Sequence, residues 1–321
     1  MSDTKGDEKV MSKYVIGIDG GGTGSKGITA DMNGDVLLRF TGGATNYNGA
    51  NKKDVDANIQ HLLKQATVGL KVTDCQAVCI GSAGVSNPSV VKLLENAVKA
   101  KGFTCPVMIV GDSMTAHAGA LKNKDGIILI AGTGAICFGR KGDGQAMRVG
   151  GYGHLIDDEG SGYDIARRMV REVVRAADGR AEDTVLRSLI FDSLGFSHLG
   201  DMIAWLYDKE RSKKEIAGIA VLLDQAVKMG DKAAERIVEE AADALVDMTV
   251  PIVDFFEGNT IVALSGSVLK NDVAIRESYI GKMKEHYPDK FGEEGGVQIQ
   301  DAEYEADHGA VFLALNYACR K

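Results

Sequence analysis

The chain has 321 residues, of which 45% are hydrophobic and 26% charged, and its formal net charge is −8. This length suffices for two compact domains with their own cores, whereas the acidic balance disfavours nucleic-acid binding, which needs a basic surface. No apolar run approaches the roughly 18 residues of a membrane span, and the polar start MSDTKGDEKVMSK differs from a signal peptide. We therefore expect a cytoplasmic enzyme with neither a nucleic-acid nor a membrane partner, and a disordered lead-in at residues 1–12.

The first predicted element is a strand that ends in an acid and enters a glycine-rich turn, in the segment YVIGIDGGGTGSK from Tyr14 to Lys26. Glycine tolerates positive φ and lets backbone amides approach an anion closely. Thr23 and Ser25 add hydroxyl donors, and Asp19 is placed to hold Mg²⁺ because hard cations prefer carboxylate oxygen. The segment therefore predicts a turn that binds nucleotide phosphates, with a hairpin turn of no chemical role as the alternative.

This turn differs from the two best-known phosphate loops. The Walker A pattern GxxxxGK[ST] is absent from the sequence, and the glycines do not open a helix as they do in a Rossmann GxGxxG turn. Two further extended runs, KGITAD and DVLLRFTG, follow instead, with a turn at Asn33 and Gly34 between them. The pattern predicts a meander of three strands.

Beyond the meander, the apolar spacing alternates between helix and strand. Helical spacing extends from Lys53 to about Leu70 and is followed by the strand AVCIGSAG at 77–84. A second helix from Ser89 to about Lys101 precedes the strand PVMIVGD at 106–112, and a third helix is predicted at 113–121. This alternation predicts a sheet covered by helices, with function at the carboxyl ends of the strands.

The same themes return in the second part of the sequence. GIILIAGTGAICFGR at 126–140 is again a strand, a glycine hairpin and a strand, and RVGGYG at 148–153 stands third. TIVALSGSV at 260–268 repeats the form of AVCIGSAG, and residues 296–315 repeat the order of strand, acid and small-residue helix. Three paired features in the same order predict a duplicated domain whose halves grip one nucleotide.

Domain limits follow from this repetition. The apolar pattern breaks at 122–126, so we expect an N-terminal domain at 13–121 and a C-terminal domain at 122–321. Between Glu182 and Phe256 the sequence is mostly amphipathic helix, which we expect as an insertion that carries a homodimer interface, with solvated helical surface as the alternative. The final helix, at about 306–320, is a candidate to return to the first domain.

Five motifs stand in order along the chain. They are DGGGT at 19–23, VGD at 110–112, AGTGA at 131–135, GGYGHLIDDEGSG at 150–162 and LSGSV at 264–268. Together they resemble the N-acetylglucosamine kinase-like (BadF/BadG/BcrA/BcrD) branch of the actin/hexokinase/Hsp70 superfamily, over nearly the whole chain from Tyr14. The resemblance implies an α/β fold of duplicated actin-like ATPase (ribonuclease H-like) domains with a cleft between them and extra helices in the second domain. It also implies ATP and Mg²⁺ as cofactors.

The resemblance further implies a role for individual residues. Asp112 would be the catalytic base, and Asp19 would hold Mg²⁺. The nucleotide would be bound by Gly20, Gly21, Gly22, Thr23, Gly24, Ser25, Gly132, Thr133, Gly134, Gly266 and Ser267. The amino sugar would be surrounded by Asn46, Ser82, Gly84, Asp112, Gly151, Tyr152, Gly153 and Asp158. The sequence has Gly24, Ala135, Tyr152 and Asp157 where the family usually has a basic residue, Ser, Trp and Gly, which leaves the exact sugar open.

Two of these acids have competing structural roles. Phosphoryl transfer to an alcohol needs a carboxylate that takes the hydroxyl proton, which Asp112 at a strand end can supply. Asp is also a common N-cap, and Asp112 is placed to cap the helix predicted at 113–121. Asp158 and Glu159 precede the helix that begins near Gly162, so capping competes there with the binding of a sugar hydroxyl.

Three functions remain open. The first, which we expect, is an ATP-dependent kinase that phosphorylates N-acetylglucosamine, or the related N-acetylmuramic acid or glucosamine, on the 6-hydroxyl. The second is the ATPase activator of a radical dehydratase or reductase of the BadF/BcrA type, which needs cysteine ligands for an iron–sulfur cluster. Residues 127–131, ahead of the second hairpin, are Ile-Ile-Leu-Ile-Ala and offer no such ligand. The third is a non-catalytic ATP-binding clamp or filament subunit, which would need no sugar-binding glycine block.

Overall fold

The computed structural model describes residues 13–22, 24–47, 51–85, 87–257, 259–292 and 295–319. The strands in these residues are β1 Tyr14–Gly20, β2 Ser25–Asp31, β3 Val36–Gly42, β4 Cys75–Ser82, β5 Val107–Val110, β6 Gly126–Ala131, β7 Ala135–Arg140, β8 Ala146–Gly150, β9 Thr260–Ser265 and β10 Val297–Asp301. The α-helices are α1 Lys52–Ala66, α2 Pro88–Ala100, α3 Asp112–Ala120, α4 Gly162–Ala177, α5 Leu186–Leu194, α6 Leu199–Leu206, α7 Lys213–Ala217, α8 Leu223–Lys228, α9 Lys232–Phe255, α10 Ser267–Asn271, α11 Val273–His286 and α12 Ala306–Cys319. The lead-in expected at residues 1–12 lies outside the described residues.

The chain divides into two compact units. The first contains the described residues up to Lys124 and those from Glu303 onward, and the second is Asp125–Ala302. The final helix belongs to the first unit because α12 packs against β1 and α3. Where α12 crosses α3, a Cβ on Gly309 would collide with the carbonyl oxygen of Thr115, so glycine permits this close approach.

Each unit is built on a five-stranded mixed sheet, and the two sheets have the same topology. The strand order is β3-β2-β1-β4-β5 in the first and β8-β7-β6-β9-β10 in the second. In both, three antiparallel strands form a meander, and the two later strands run parallel to the first strand of that meander. A duplicated domain is expected to give two sheets with the same strand order and strand directions, as these two have.

Burial follows the apolar pattern of the sequence. β1 is a continuous apolar run and is buried on both faces, as expected for a central strand that lies between layers of helices. The buried residues of α1 are Val55, Ile59, Leu62, Leu63 and Ala66, at helical spacing. Asn51 caps α1 by accepting a hydrogen bond from the N–H of Lys53 at 3.0 Å. Within the described segments, no helix is both long and apolar enough to cross a membrane.

The register of the first sheet places several strand ends side by side. Gly20 at the end of β1 pairs with Ser82 at the end of β4, and Gly81 pairs with Val110 at the end of β5. The β1–β2 hairpin closes at the pair Gly20 and Ser25. The glycine turn and the residues that follow β4 and β5 therefore share the carboxyl edge of this sheet.

Candidate active site

Two acids lie at the carboxyl edge of the first sheet. Asp19 is the last residue but one of β1, and Asp112 begins α3 after the end of β5. Asp19 is half-buried, whereas Asp112 is exposed. Burial, followed by the negative charges of Asp112 and Asp307, raises the pKa of Asp19 to about 6, and the charge of Lys26 opposes this shift. The first unit thus concentrates negative charge where the sequence predicted Mg²⁺.

This grouping of acids fits a divalent cation. Glu305 and Asp307, which lie just before and within the first turn of α12, add to the negative charge around Asp19. Carboxylates that repel one another are stabilised by a hard cation, and Mg²⁺ is usually held by one or two of them together with substrate phosphates. Asp19 is therefore suited to a cation that phosphates help to bind.

The local sequence pattern did not identify Glu305 and Asp307 as members of this acidic group. The signal that identifies them is the internal repeat, because the segment at 296–315 matches the strand and helix that contain Asp112. The helix of that segment, α12, is the counterpart of α3, which contains Asp112. Here both of them, α3 and α12, pack in the first unit.

The capping role considered for Asp112 is wrong. α3 begins at Asp112 rather than at Ser113, and its N-cap is Gly111, which has no capping side chain. Oδ1 of Asp112 accepts a hydrogen bond from the adjacent N–H of Ser113 at 2.9 Å. An exposed carboxylate in this position can receive a proton from a bound hydroxyl.

The first glycine turn is braced by the segment that follows β3. The N–H of Gly21 donates to the carbonyl of Gly24 at 3.0 Å, and the carbonyl of Gly21 accepts from the N–H of Thr45 at 3.2 Å. Ser25 is buried, and its hydroxyl donates to the carbonyl of Gly43 at 3.0 Å and lies 3.1 Å from Oγ1 of Thr45. The Ser25 side chain therefore anchors the hairpin to the segment that follows β3.

The remaining glycines of this turn differ in their surroundings. A Cβ on Gly20 would collide with Oγ1 of Thr45, whereas the space around Gly22 is open and that around Gly24 nearly so. Open space at these two positions leaves room for an anion at the backbone amides. Thr23 lies outside the described residues.

The residues of the first unit expected at the sugar lie around the same edge of the sheet. Ser82 is buried at the end of β4, where its hydroxyl donates to the carbonyl of Ala83 at 3.2 Å. Gly84 follows in a turn with a φ of +79°. Asn46 is half-buried and directly follows Thr45, whose backbone is bonded to the glycine turn. The structure thus brings Asn46, Ser82 and Gly84 to the region of Asp19 and Asp112.

The second glycine hairpin, in the second unit, is held by two groups distant in sequence. Within it the N–H of Gly132 donates to the carbonyl of Gly134 at 2.9 Å, and the N–H of Gly162 donates to the carbonyl of Gly132 at 2.7 Å. The buried carboxylate of Asp158 accepts a hydrogen bond from the N–H of Ala135 at 3.3 Å. Because the N-cap of α4 is Ser161, the capping role considered for Asp158 is wrong.

A cavity of about 230 Å³ lies beside this hairpin. Among the residues that line it are Gly132, Thr133, Ile165, Lys214, Val221, Asp224, Ser267, Val268 and Asn271. Gly266 has a φ of +92°, and a Cβ there would collide with the backbone of Ala131, so glycine is needed at this approach of β9 to β6. Apolar walls with a few polar groups suit a nucleoside.

The helical residues of this cavity were missed by the sequence reasoning. Val221 and Asp224 belong to the helical segment between β8 and β9, and Asn271 ends α10. Helical periodicity identifies the face that is buried, but it does not identify which residues of that face border a cavity.

A second loop carries the residues of this unit that were expected at the sugar. Gly150, Gly151 and Gly153 have φ angles of +75°, +76° and +96°. The N–H of Tyr152 donates to Oδ2 of Asp157 at 2.9 Å, so the carboxylate of Asp157 closes the loop. The Tyr152 side chain is 66% exposed. Gly151, Tyr152 and Gly153 thus form one turn at the end of β8, in which Tyr152 is exposed.

Comparisons with known proteins agree with this arrangement. A model of the BadF/BadG/BcrA/BcrD ATPase family matches residues 16–314. An N-acetylmuramic acid/N-acetylglucosamine kinase of Clostridium acetobutylicum is 32% identical over 307 residues, which cover 94% of this chain and 98% of that protein. An N-acetyl-D-glucosamine kinase of Dictyostelium discoideum is 28% identical over 324 residues, which cover 95% of this chain and 99% of that protein.

A solved structure gives the same result for the fold. The structure of a protein from Chromobacterium violaceum, provisionally assigned as an N-acetylglucosamine kinase, has a TM-score of 0.75 and 25% identity, over 95% of this chain and 99% of that chain. The α/β fold of duplicated actin-like ATPase domains expected from the sequence is therefore confirmed. Since the family model spans nearly the whole sequence, the chain belongs to the BadF/BadG/BcrA/BcrD ATPase family.

Proposed function

We propose that this protein is an ATP-dependent amino-sugar kinase that transfers the terminal phosphoryl group of ATP to the 6-hydroxyl of N-acetylglucosamine or a related amino sugar. The observation that carries the proposal is the exposed carboxylate of Asp112 near the half-buried Asp19, at a sheet edge that also bears a glycine turn. Two relatives that match nearly the whole chain, and that are amino-sugar kinases by name, support it.

Asp112 acts as the general base in this proposal. Phosphoryl transfer needs little covalent help from a protein, only positioning, neutralisation of charge and a group that accepts the hydroxyl proton. Since Oδ1 of Asp112 already accepts the N–H of Ser113, Oδ2 is the oxygen that takes the proton. The bond to Ser113 fixes the direction of the carboxylate.

Asp19 and the first glycine turn hold the phosphates. Asp19 provides a carboxylate for Mg²⁺, and when bound this ion neutralises charge on the phosphate oxygens. The backbone amides near Gly22 and Gly24, where the structure leaves space, donate to phosphate oxygens. Ser25 keeps the turn in place through Gly43 and Thr45.

The second unit supplies the nucleoside and sugar contacts. The cavity beside Gly132 and Thr133 has apolar walls, including Ile165 and Val268, that suit the faces of a purine base. The N–H groups of Thr133 and Gly134 provide further donors for phosphate, because that of Gly132 is bonded to the carbonyl of Gly134. The turn of Gly151, Tyr152 and Gly153 offers backbone groups and the exposed ring of Tyr152 to the sugar.

Two finer features belong to the same proposal. We place the reaction in the cytoplasm, where ATP is available, and we expect the protein to form a homodimer through its helical segment between β8 and β9. Light scattering coupled to size-exclusion chromatography distinguishes a dimer from a monomer, and a monomer at micromolar concentration would contradict the second expectation.

A coupled assay of ADP release with a panel of amino sugars tests the function. We expect turnover with N-acetylglucosamine and Mg²⁺, little turnover without sugar, and a product whose phosphate is located on the 6-oxygen by NMR. Sugar-independent hydrolysis of ATP without any phosphorylated sugar would contradict the proposal. That result would favour the alternative of an ATPase activator, for which the absorbance of an iron–sulfur cluster would be the second observation.

A further inference from the structure

Arg148 differs from many arginines of the second unit in what it contacts. Its Nε donates to the carbonyl of Gly150 at 3.0 Å, its Nη2 donates to the carbonyl of Gly151, and its guanidinium lies 4.8 Å from the centre of the Tyr152 ring. Arg167 and Arg168, by contrast, are paired with a carboxylate. In the described segments, no Asp or Glu forms an ion pair with Arg148.

These contacts fix the orientation of the Arg148 guanidinium while leaving part of it available. Arginine has five N–H donors in a planar fork, and the two carbonyls engage Nε and Nη2. Nη1 makes no hydrogen bond to another described residue. Because the residue and the Tyr152 ring are both exposed, a ligand at this turn can reach the remaining donors.

We propose that Arg148 is a specificity residue that binds the carboxylate of an acidic amino sugar, one in which an ether on the ring carries a carboxylic acid. This inference rests on the proposed function, which places the turn of Gly151, Tyr152 and Gly153 at the sugar. Guanidinium groups recognise carboxylates through charge-assisted hydrogen bonds, which are stronger than hydrogen bonds between neutral groups. The Tyr152 ring, stacked under the guanidinium, holds it in place and presents an apolar face beside it.

The ATP phosphates are the competing anion for this guanidinium. The backbone bonds of Arg148 go to the sugar turn, whereas the second glycine hairpin is closed by Asp158 and Gly162. The contacts therefore favour a substituent of the sugar. Steady-state kinetics of an Arg148 variant distinguish the two anions. If Arg148 binds the ATP phosphates, its substitution changes the KM for ATP with every sugar.

The test compares two sugars that differ by the acidic ether alone, N-acetylmuramic acid and N-acetylglucosamine. We expect the wild type to phosphorylate both, and Arg148→Gln to lower kcat/KM for the acid about 10- to 100-fold, the range for hydrogen bonds to charged groups. The loss should be at least about ten times larger than for the neutral sugar. Arg148→Lys keeps the charge and should restore part of the difference.

Arg187→Gln is the matched control, because Arg187 is also an exposed arginine over an aromatic ring, 5.4 Å from the centre of Phe191, and it lies outside the proposed site. It should alter neither sugar's kcat/KM. Raising the ionic strength should weaken turnover of the acid more than that of the neutral sugar, because salt screens the additional exposed charge pair.

Several outcomes would overturn the inference. They are an equal loss for both sugars in Arg148→Gln, a rise in the KM for ATP with either sugar, and a wild type that phosphorylates the neutral sugar but not the acid. Ligand-observed NMR gives a readout independent of turnover, and the acid should bind about 10- to 100-fold more weakly to Arg148→Gln than to the wild type. If the wild type phosphorylates no sugar, the proposed function fails, and binding of the acid by NMR still decides whether Arg148 recognises it.

Discussion

The carboxylate of Asp158 accepts a hydrogen bond from the N–H of Ala135 across 23 residues of sequence, at 3.3 Å. Asp158 does so from a buried position, with a φ of +66° that is uncommon for a residue other than glycine. Gly134 leaves room for this carboxylate, because a Cβ there would lie 3.0 Å from Oδ1. The second glycine hairpin therefore depends on a side chain from the segment before α4.

Substitution of Asp158 separates its structural role from binding of the sugar. Asp158→Ala leaves the buried N–H of Ala135 without an acceptor, which costs about 1–3 kcal/mol, so we expect a lower Tm and a higher KM for ATP. Asp158→Asn retains an acceptor and tolerates the left-handed φ, so both quantities should stay near wild type. If Asp158→Asn instead raises the KM for the sugar alone, its charge serves the sugar and the hairpin role is secondary.

Gly266 is expected to tolerate no side chain. Gly266→Ala forces a β-carbon against the backbone of Ala131 at a φ of +92°, and the backbone strain alone costs about 1–3 kcal/mol. We expect a lower melting temperature and weaker ATP binding, measured by calorimetry. Gly281→Ala is the control, since Gly281 lies in α11 with open space around it, and it should stabilise the protein by up to about 1 kcal/mol. Equal melting temperatures for the two variants would contradict the strain argument.

The stability of the second unit should depend on pH through Asp164. Burial raises the pKa of Asp164, but hydrogen bonds from Arg167 and Arg168 outweigh it and hold the pKa below its usual value. The pKa of an Asp carboxyl in the unfolded chain is about 3.9, and that of Asp164 in the folded protein is lower. The ion pairs therefore stabilise the fold fully above about pH 4, and this stabilisation is lost as the pH falls through the folded-state pKa. Asp164→Asn should therefore cost about 2–3 kcal/mol near pH 7, and progressively less below about pH 4.

Urea denaturation of wild type and Asp164→Asn between pH 3 and 8 measures this dependence. Asp178→Asn is the control, because Asp178 and Arg180 form an exposed pair that should contribute little. A difference between wild type and Asp164→Asn that does not change with pH would contradict the ion-pair explanation.

We expect the charged side chain of Asp19 to destabilise the folded protein until a cation binds to it. Because its neighbours are acids, Asp19→Asn removes repulsion, and we expect a higher Tm than wild type in buffer that contains a chelator. The same variant should need more Mg²⁺ and show far lower activity. Asp35→Asn, in the exposed turn between β2 and β3, should change neither quantity. A lower Tm for Asp19→Asn in metal-free buffer would contradict the repulsion that we infer.

The local pattern predicted the hairpins and helices well, because their signals lie in neighbouring residues. The turn after Asp19 was expected from three glycines in a row, and the structure closes it at Gly20 and Ser25. The direction of the Ser25 hydroxyl was not predictable in this way. Its partners, Gly43 and Thr45, lie 18 and 20 residues further along, so they are found only after the strands have paired.

The site was predicted less completely than the fold for the same reason. Asp112 was expected at a strand end, but the start of α3 was placed one residue late, which made the side chain look like an N-cap. Glu305 and Asp307 approach Asp19 because α12 packs in the first unit. Such proximity arises from tertiary packing, which periodicity does not describe.

The kinase account depends most directly on Asp112. Asp112→Asn keeps the shape of the side chain and an acceptor for the N–H of Ser113, and since Gly111 is the N-cap of α3, Tm and ATP affinity should stay near wild type. General-base assistance is worth about 10²–10⁴ in rate. The decisive measurement is therefore kcat for sugar phosphorylation by folded Asp112→Asn at saturating ATP, Mg²⁺ and N-acetylglucosamine. The account predicts a fall of at least about a hundredfold, and turnover near the wild-type rate would contradict it.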